Sequence, residues 1–238
     1  MSYAPIYPHG EVEEIGADVF TVRGSIKLNP VVRITRNMVF VRSGNEISLV
    51  NPIRVDDRVL EQIKKIGTIK HLLRTGALHG IDDPFYIDHF KPTMWSQPGG
   101  SIYTQPPIDV ELSADTELPF PNASLVIYEN TLEPECGLHI ADDDGLLITC
   151  DAIQHYGDYS YNNLLAKAML PFIGFPKRTI VGPIWLKLMT PDGMTLENDL
   201  RQLLKLPFNR LIAAHGTYLE QGAKDAVDKA IVTAFSNN

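Results

Sequence analysis

Histidines and aspartates gather at three places where an apolar stretch ends in polar residues. The first is Leu72–Tyr86 (LLRTGALHGIDDPFY), which places His79, Asp82 and Asp83 in a loop after a strand. The second is Leu146–Asp151 (LLITCD), with His155 four residues beyond Asp151. The third is Leu211–Gly216 (LIAAHG), which ends in His215. Metals and substrates are gripped where buried strands spill polar residues into loops, so three such ends imply one shared site. The expected ligand pool is His79, Asp82, Asp83, Asp151, His155 and His215. A mixed imidazole–carboxylate set suits one divalent ion, zinc, ferrous iron or manganese, without selecting among them. Such an ion would activate a water against an ester or phosphate. With no metal, the same groove would bind a small molecule and do no chemistry.

Each of these residues also has a plainer reading. Asp83 precedes Pro84 and suits a helix N-cap. Asp151 could cap the turn after its strand, His215 could bond neighbouring backbone, and His155 could lie on the surface. Glu135 and Cys136, in LEPECG, are further donors, although a small buried cysteine is as good a reading for the latter. His9, His71, His89 and His139 read as structural. No G-x-S-x-G elbow, phosphate loop or Rossmann glycine pattern offers another enzyme class.

The elements that must position these side chains follow from periodicity and punctuation. Val12–Ile15, Val19–Arg23, Asn37–Arg42 and Glu46–Val50 read as strands, the last two joined by Ser43-Gly44-Asn45. Asp56 can cap a helix with Val59, Leu60, Ile63 and Ile66 on one face, stopped by Gly67. A strand over Thr68–Thr75 follows, so this strand–helix–strand unit implies a parallel pair. A helix is expected from Asp83 towards Phe90. Residues 91–122 hold six of the 17 prolines and read as a long loop with one short strand around Ile108–Glu111. Strands are then expected at Ser124–Glu129, Gly137–Ala141 and Leu146–Cys150, with Asp142–Gly145 as a hairpin tip. Asn162–Phe175 and Ile184–Met189 are apolar nearly all round, which fits buried helices or a cover over the site. An amphipathic helix over Thr195–Leu206, a strand over Asn209–Ala214 and a helix over Leu219–Phe235 complete the chain.

The chain has 238 residues, 44% of them hydrophobic and 21% charged, enough for one sizeable core, and no linker divides it. A single domain over residues 1–238 is expected. The net charge of −8 and the lack of a basic run exclude a nucleic-acid footprint. Two cysteines without CxxC spacing fit a reduced, cytoplasmic setting. No signal pattern or spanning stretch is visible, so a soluble protein with a small-molecule ligand and no membrane partner is expected. Oligomeric state stays open, a homodimer included.

This order of elements, with Asp151 after LLITC and His215 in AAHG, resembles the metallo-β-lactamase superfamily from Gly16 to Phe235. The early hairpin followed by LVNP looks like a family strand that normally ends in aspartate, here Asn51. GLLITCD looks like the family's GLLFSGD strand, with Cys150 at a usual glycine. LIAAHG looks like the strand carrying the final metal histidine. The stretches LHGIDDPFY and GPIWLKLMTP point to a bacterial branch of their own. The resemblance implies an α/β fold, the αβ/βα four-layer sandwich, and a metal-dependent hydrolase. The chain departs from the family's H-x-H-x-D-H loop. Alignment on Thr75 puts Gly76, Leu78, Gly80 and Ile81 at the ligand positions. Starting from His79 instead leaves Ile81 and Pro84 in two of them. The family's GHTPG histidine should fall near Leu132–Gly137, which has none. The expectation is therefore a hydrolase with at most one divalent metal. Its alternative is a catalytically inactive relative that binds a small molecule or a protein partner.

Overall fold

Alternation of side chains along the strands and an amphipathic stripe on the helices dictate a layered sandwich, and the chain folds as one. The computed structural model describes residues 3–236. The first sheet runs β1 (Val12–Gly16), β2 (Val19–Lys27), β3 (Arg33–Ser43), β4 (Glu46–Val50), β5 (Thr68–Arg74), β6 (Thr93–Ser96) and β7 (Val110–Glu111) in spatial order. Its first four strands pair antiparallel, whereas β4 to β7 pair parallel. The second sheet contains β8 (Ala123–Ile127), β9 (Cys136–Ile140), β10 (Leu146–Thr149) and β13 (Arg210–Ala213), with β13 parallel to β10 at one edge. Between them in sequence, β11 (Ile153–His155) and β12 (Thr179–Val181) form a separate antiparallel ribbon.

Val39 and Val41 of β3 face the second sheet and pack with Leu138, Ile148 and Ile212, while Met38 and Phe40 face the other way. There they meet α1 (Asp57–Ile66) through Val59 and Ile63, and α2 (Asp83–Phe90) through Phe85 and Tyr86. Leu147 and Leu211, on the outer face of the second sheet, pack against α4 (Pro183–Met189), α5 (Glu197–Leu203) and α6 (Ala223–Phe235). The order is helix, sheet, sheet, helix. α3 (Leu164–Met169) and a 3-10 turn over Leu170–Ile173 stand beside this stack.

The expected α1 is present, with the Asp56 side chain accepting from Val59 N at 2.8 Å. The strands after Asp56 and before it, β5 and β4, are parallel as the crossover required. Beyond the β11–β12 ribbon, itself unexpected, three further elements differ from expectation. The long loop over 91–122 contains β6, a four-residue strand held between β5 and β7. The apolar stretch 162–175 is not one helix: Asn163 caps α3, and Gly174 at φ 94° closes the 3-10 turn. The last helix starts at Ala223 instead of Leu219, because Leu219 is bridged to Leu211.

Candidate metal centre

The strand ends expected to share a rim do so. Cys136 N donates to Thr75 O at 2.9 Å and Ala214 N to Thr149 O at 3.1 Å, so the polar ends of β5, β10 and β13 meet. His79 is set by the turn after β5, where its N–H reaches Gly76 O. Asp151 follows β10 in a turn whose N–H groups, from Asp151 and Ala152, both donate to Glu135 Oε1 at 3.0 and 2.8 Å. His215 follows β13 and is fixed by Asn37, which donates to Ala213 O and Gly216 O. Gly216 has φ 86°, and a Cβ there would run into the backbone oxygen of His155. Only glycine fits after His215.

Three of the six expected ligands come together. His79 Nε2 lies 3.0 Å from Asp151 Oδ2, and His215 Nε2 lies 3.1 Å from Asp151 Oδ1. One ligand atom from each falls within 4.8 Å of the others, and all three residues are buried. His215 Nδ1 is 2.6 Å from Thr35 O, a carbonyl that can only accept, so Nδ1 carries the proton. In the neutral imidazole this leaves the Nε2 lone pair aimed at an anionic oxygen. Two acceptors face one another there unless a cation stands between them or the ring is charged. Fixing the metal-binding nitrogen through a hydrogen bond at the other one is the usual way a ligand histidine is oriented.

Burial pushes His79 down to about 4, against the pull of Asp151, and the nearby Arg36 cation lowers it further. Burial alone would raise Asp151, but the facing His79 and the hydrogen bond from His215 hold its carboxyl well below the usual range. A metal requires neutral imidazoles beside an ionised carboxylate, so a divalent ion here would replace the imidazole protons that otherwise hold Asp151 ionised. The two imidazoles and the carboxylate form a candidate ligand set for a divalent ion.

The other three expected ligands have different partners. Asp82 occupies the cap position of α2 without a capping bond, and its carboxylate faces buried Arg36 at 3.9 Å. Asp83 is the first residue of that helix, not its cap, and faces Arg74 at 3.3 Å. His155 Nδ1 bonds Thr179 Oγ1 at 2.9 Å across the β11–β12 ribbon, and its ring lines a different cavity. None of these joins the three-residue group. Cys136 is buried in the core between the sheets.

Glu135 lies beneath Asp151, fully buried, and its second oxygen accepts from Trp185 Nε1 at 2.8 Å. Burial and the Asp151 charge push this carboxyl well above its ordinary value. Arg36 went unrecognised in the sequence, where a charge inside ITRNMVFV was its one signal. It lines the cavity beside the centre and donates to His79 O at 3.2 Å. That cavity, of about 230 Å³, is otherwise largely apolar, with Ile26, Ile34, Leu78, Leu170 and Phe175 among its walls.

No family profile matches the sequence, and no curated protein is similar to it in sequence. Solved structures do match. The metallo-β-lactamase from Erythrobacter litoralis aligns with a TM-score of 0.62 at 14% identity, covering 98% of this chain and 96% of that one. The metallo-β-lactamase from Hirschia baltica aligns at 0.61 and 12% identity, covering 94% and 96%. FIM-1 from Pseudomonas aeruginosa, in a mono-zinc form, also gives 0.61 at 12% identity, covering 96% and 97%. At such identities the likeness is one of fold.

Proposed function

We propose that this chain, which has the metallo-β-lactamase fold, is a hydrolase built around one divalent ion held by His79, Asp151 and His215. The observation that carries this reading is the tautomer of His215, whose Nδ1–H is committed to Thr35 O while Nε2 points at Asp151. An ion in that set would act as a Lewis acid and lower the pKa of a water near a scissile bond. The protein's own residues supply the rest. Thr35 O and the Glu135-bonded turn orient His215 and Asp151. Arg36 brings a permanent cation to the cavity wall, fitted to an anionic oxygen of a substrate. The apolar walls exclude water and take up the aliphatic part of a small substrate.

A second reading, a ligand-binding protein without chemistry, is favoured by one detail. His79 Nδ1 is buried without a hydrogen-bond partner, whereas metal-binding histidines nearly always have one. Elemental analysis of protein purified without added metal separates the two. The hydrolase reading expects about one equivalent of zinc, iron or manganese per chain and none in Asp151→Asn. A wild type that retains no metal, and takes none up when titrated with each of the three, would leave the binding reading.

A further inference from the structure

The cavity mouth is rimmed by exposed apolar residues from two segments that carry cations and no acids, on an otherwise acidic protein. Leu28, Met169, Ile173 and Ile184 both line the cavity and are exposed, so they form its rim. Around them stand Val31, Leu164, Phe172 and Leu188, with Phe172 89% and Leu164 83% accessible. These residues come from two segments, 24–35 and 159–191, which are tied together by side-chain amides. Asn163 donates to Val31 O at 2.7 Å, and Asn162 and Thr35 exchange two hydrogen bonds at 3.0 Å. Among the described residues, nine of the fifteen exposed large hydrophobic side chains lie in these segments. That concentration is beyond the scattered apolar exposure normal for a surface.

The charges of the same segments are one-sided. Lys27, Arg33, Lys167, Lys177, Arg178 and Lys187 fall within them, and none of the chain's 29 acidic residues does. Among the described residues, none of these six forms an ion pair. Lys177 lies over the Tyr159 ring instead. Self-association through this face by a two-fold axis would set cations against cations, which disfavours a second copy as its occupant. An anionic lipid surface accepts both features, because apolar side chains enter the acyl boundary while lysines and arginines stay at the headgroups.

We propose that this face docks the protein peripherally on anionic lipid surfaces, with the cavity mouth turned toward the lipid. No helix among the described residues is long and apolar enough to cross a membrane, so the attachment is to the surface. This revises the expectation of no membrane partner, and it does not depend on the hydrolase reading. The test is co-sedimentation with vesicles of phosphatidylcholine alone and of phosphatidylcholine with 30–40% phosphatidylglycerol (roughly the anionic excess needed for a clear surface potential). The full chain is expected to bind the anionic vesicles at least tenfold more strongly, and to lose most of that binding in high salt. Leu164→Ser with Phe172→Ser, both exposed, should weaken binding about tenfold with an unchanged melting temperature. Lys167→Glu with Lys187→Glu should do the same. No binding to anionic vesicles, equal binding to neutral ones, or binding untouched by both pairs of substitutions would overturn the proposal. So would a wild-type dimer that Leu164→Ser with Phe172→Ser dissociates, since the face would then be an interface between copies.

Discussion

Asp83 offers a clean contest between desolvation and ion pairing. It sits in the first turn of α2 with 0% of its surface exposed, one carboxyl oxygen 3.3 Å from Arg74 and the other without a partner. Burial pushes its carboxyl up to about 7, while Arg74 and then Arg36 pull it down and Asp82 raises it again. In the unfolded chain the group titrates near 3.8. Between these values the native state keeps a proton that the unfolded state has lost, so stability falls as pH rises from about 4 to about 7. Some three pH units at 1.36 kcal/mol each make the loss about 4 kcal/mol. For a chain of this length that is on the order of 10 °C in melting temperature.

Asp83→Asn keeps an acceptor for Arg74 and removes the titration. Thermal and urea unfolding of both proteins with chelator present, from pH 4 to pH 8, measures the difference. The two should match at pH 4, and the variant should be the more stable by about 4 kcal/mol at pH 8. Were Asp83 ionised and paired in the native state, the substitution would strand a buried arginine and cost roughly 3–5 kcal/mol at pH 8. A variant less stable than wild type at pH 8 would refute the reasoning, and so would a difference that does not change with pH.

Three other outcomes are expected. With a divalent ion at 100 times its dissociation constant, wild type should gain about 2.7 kcal/mol by linkage. Chelator should remove that gain in a thermal melt and leave Asp151→Asn unmoved. Gly76→Ala should cost about 1–3 kcal/mol in a denaturant titration, because its Cβ would lie 2.6 Å from Cys150 Sγ. In a Cys150→Gly background the same substitution should cost markedly less, with only the Glu135 Oε2 contact at 3.2 Å left. Asn51→Ala should cost about 2 kcal/mol or more, since Asn51 has φ 48° and exchanges two hydrogen bonds with Thr75. Urea midpoints would measure it.

What the sequence made legible was whatever local pattern decides. α1 was legible because its cap, its stripe and its stop agree, and β10 and β13 because each is an apolar run ending in a polar residue. β6 was not, since four residues in a proline-rich stretch become a strand only when β5 and β7 flank them. The ribbon of β11 and β12 was missed for the same reason. At the centre, Asp151 and His215 were legible from their strand ends. Asp82 reads as a ligand in the sequence, but Arg36, buried on β3 far back in sequence, faces its carboxylate. A pairing across that separation leaves no trace in local spacing. The departure at Gly76 has a physical reason too. Cys150 fills the space that a side chain at position 76 would need, so the two positions are settled jointly.

The three-residue centre is held from outside itself. Asp151 is anchored by its backbone: Glu135 takes the N–H groups of its turn, and the same carboxyl takes the indole of Trp185, which lines the cavity. Glu135 is in turn bridged to Gly76, at the start of the loop that carries His79. His215 is held by Thr35 O and by the bonds from Asn37 to its strand end. None of these contacts uses the facing atoms of His79, Asp151 and His215. Their convergence within 4.8 Å is therefore set by the two sheets and the Glu135 turn, and does not need an ion to create it. A preformed set spends little of its binding energy on ordering ligands. In the empty state His215 Nε2 and a carboxylate oxygen of Asp151 stand 3.1 Å apart, which requires either a proton on that nitrogen or a cation between the two. A divalent ion would take the place of that proton without moving the side chains, which is the physical ground for looking for one there.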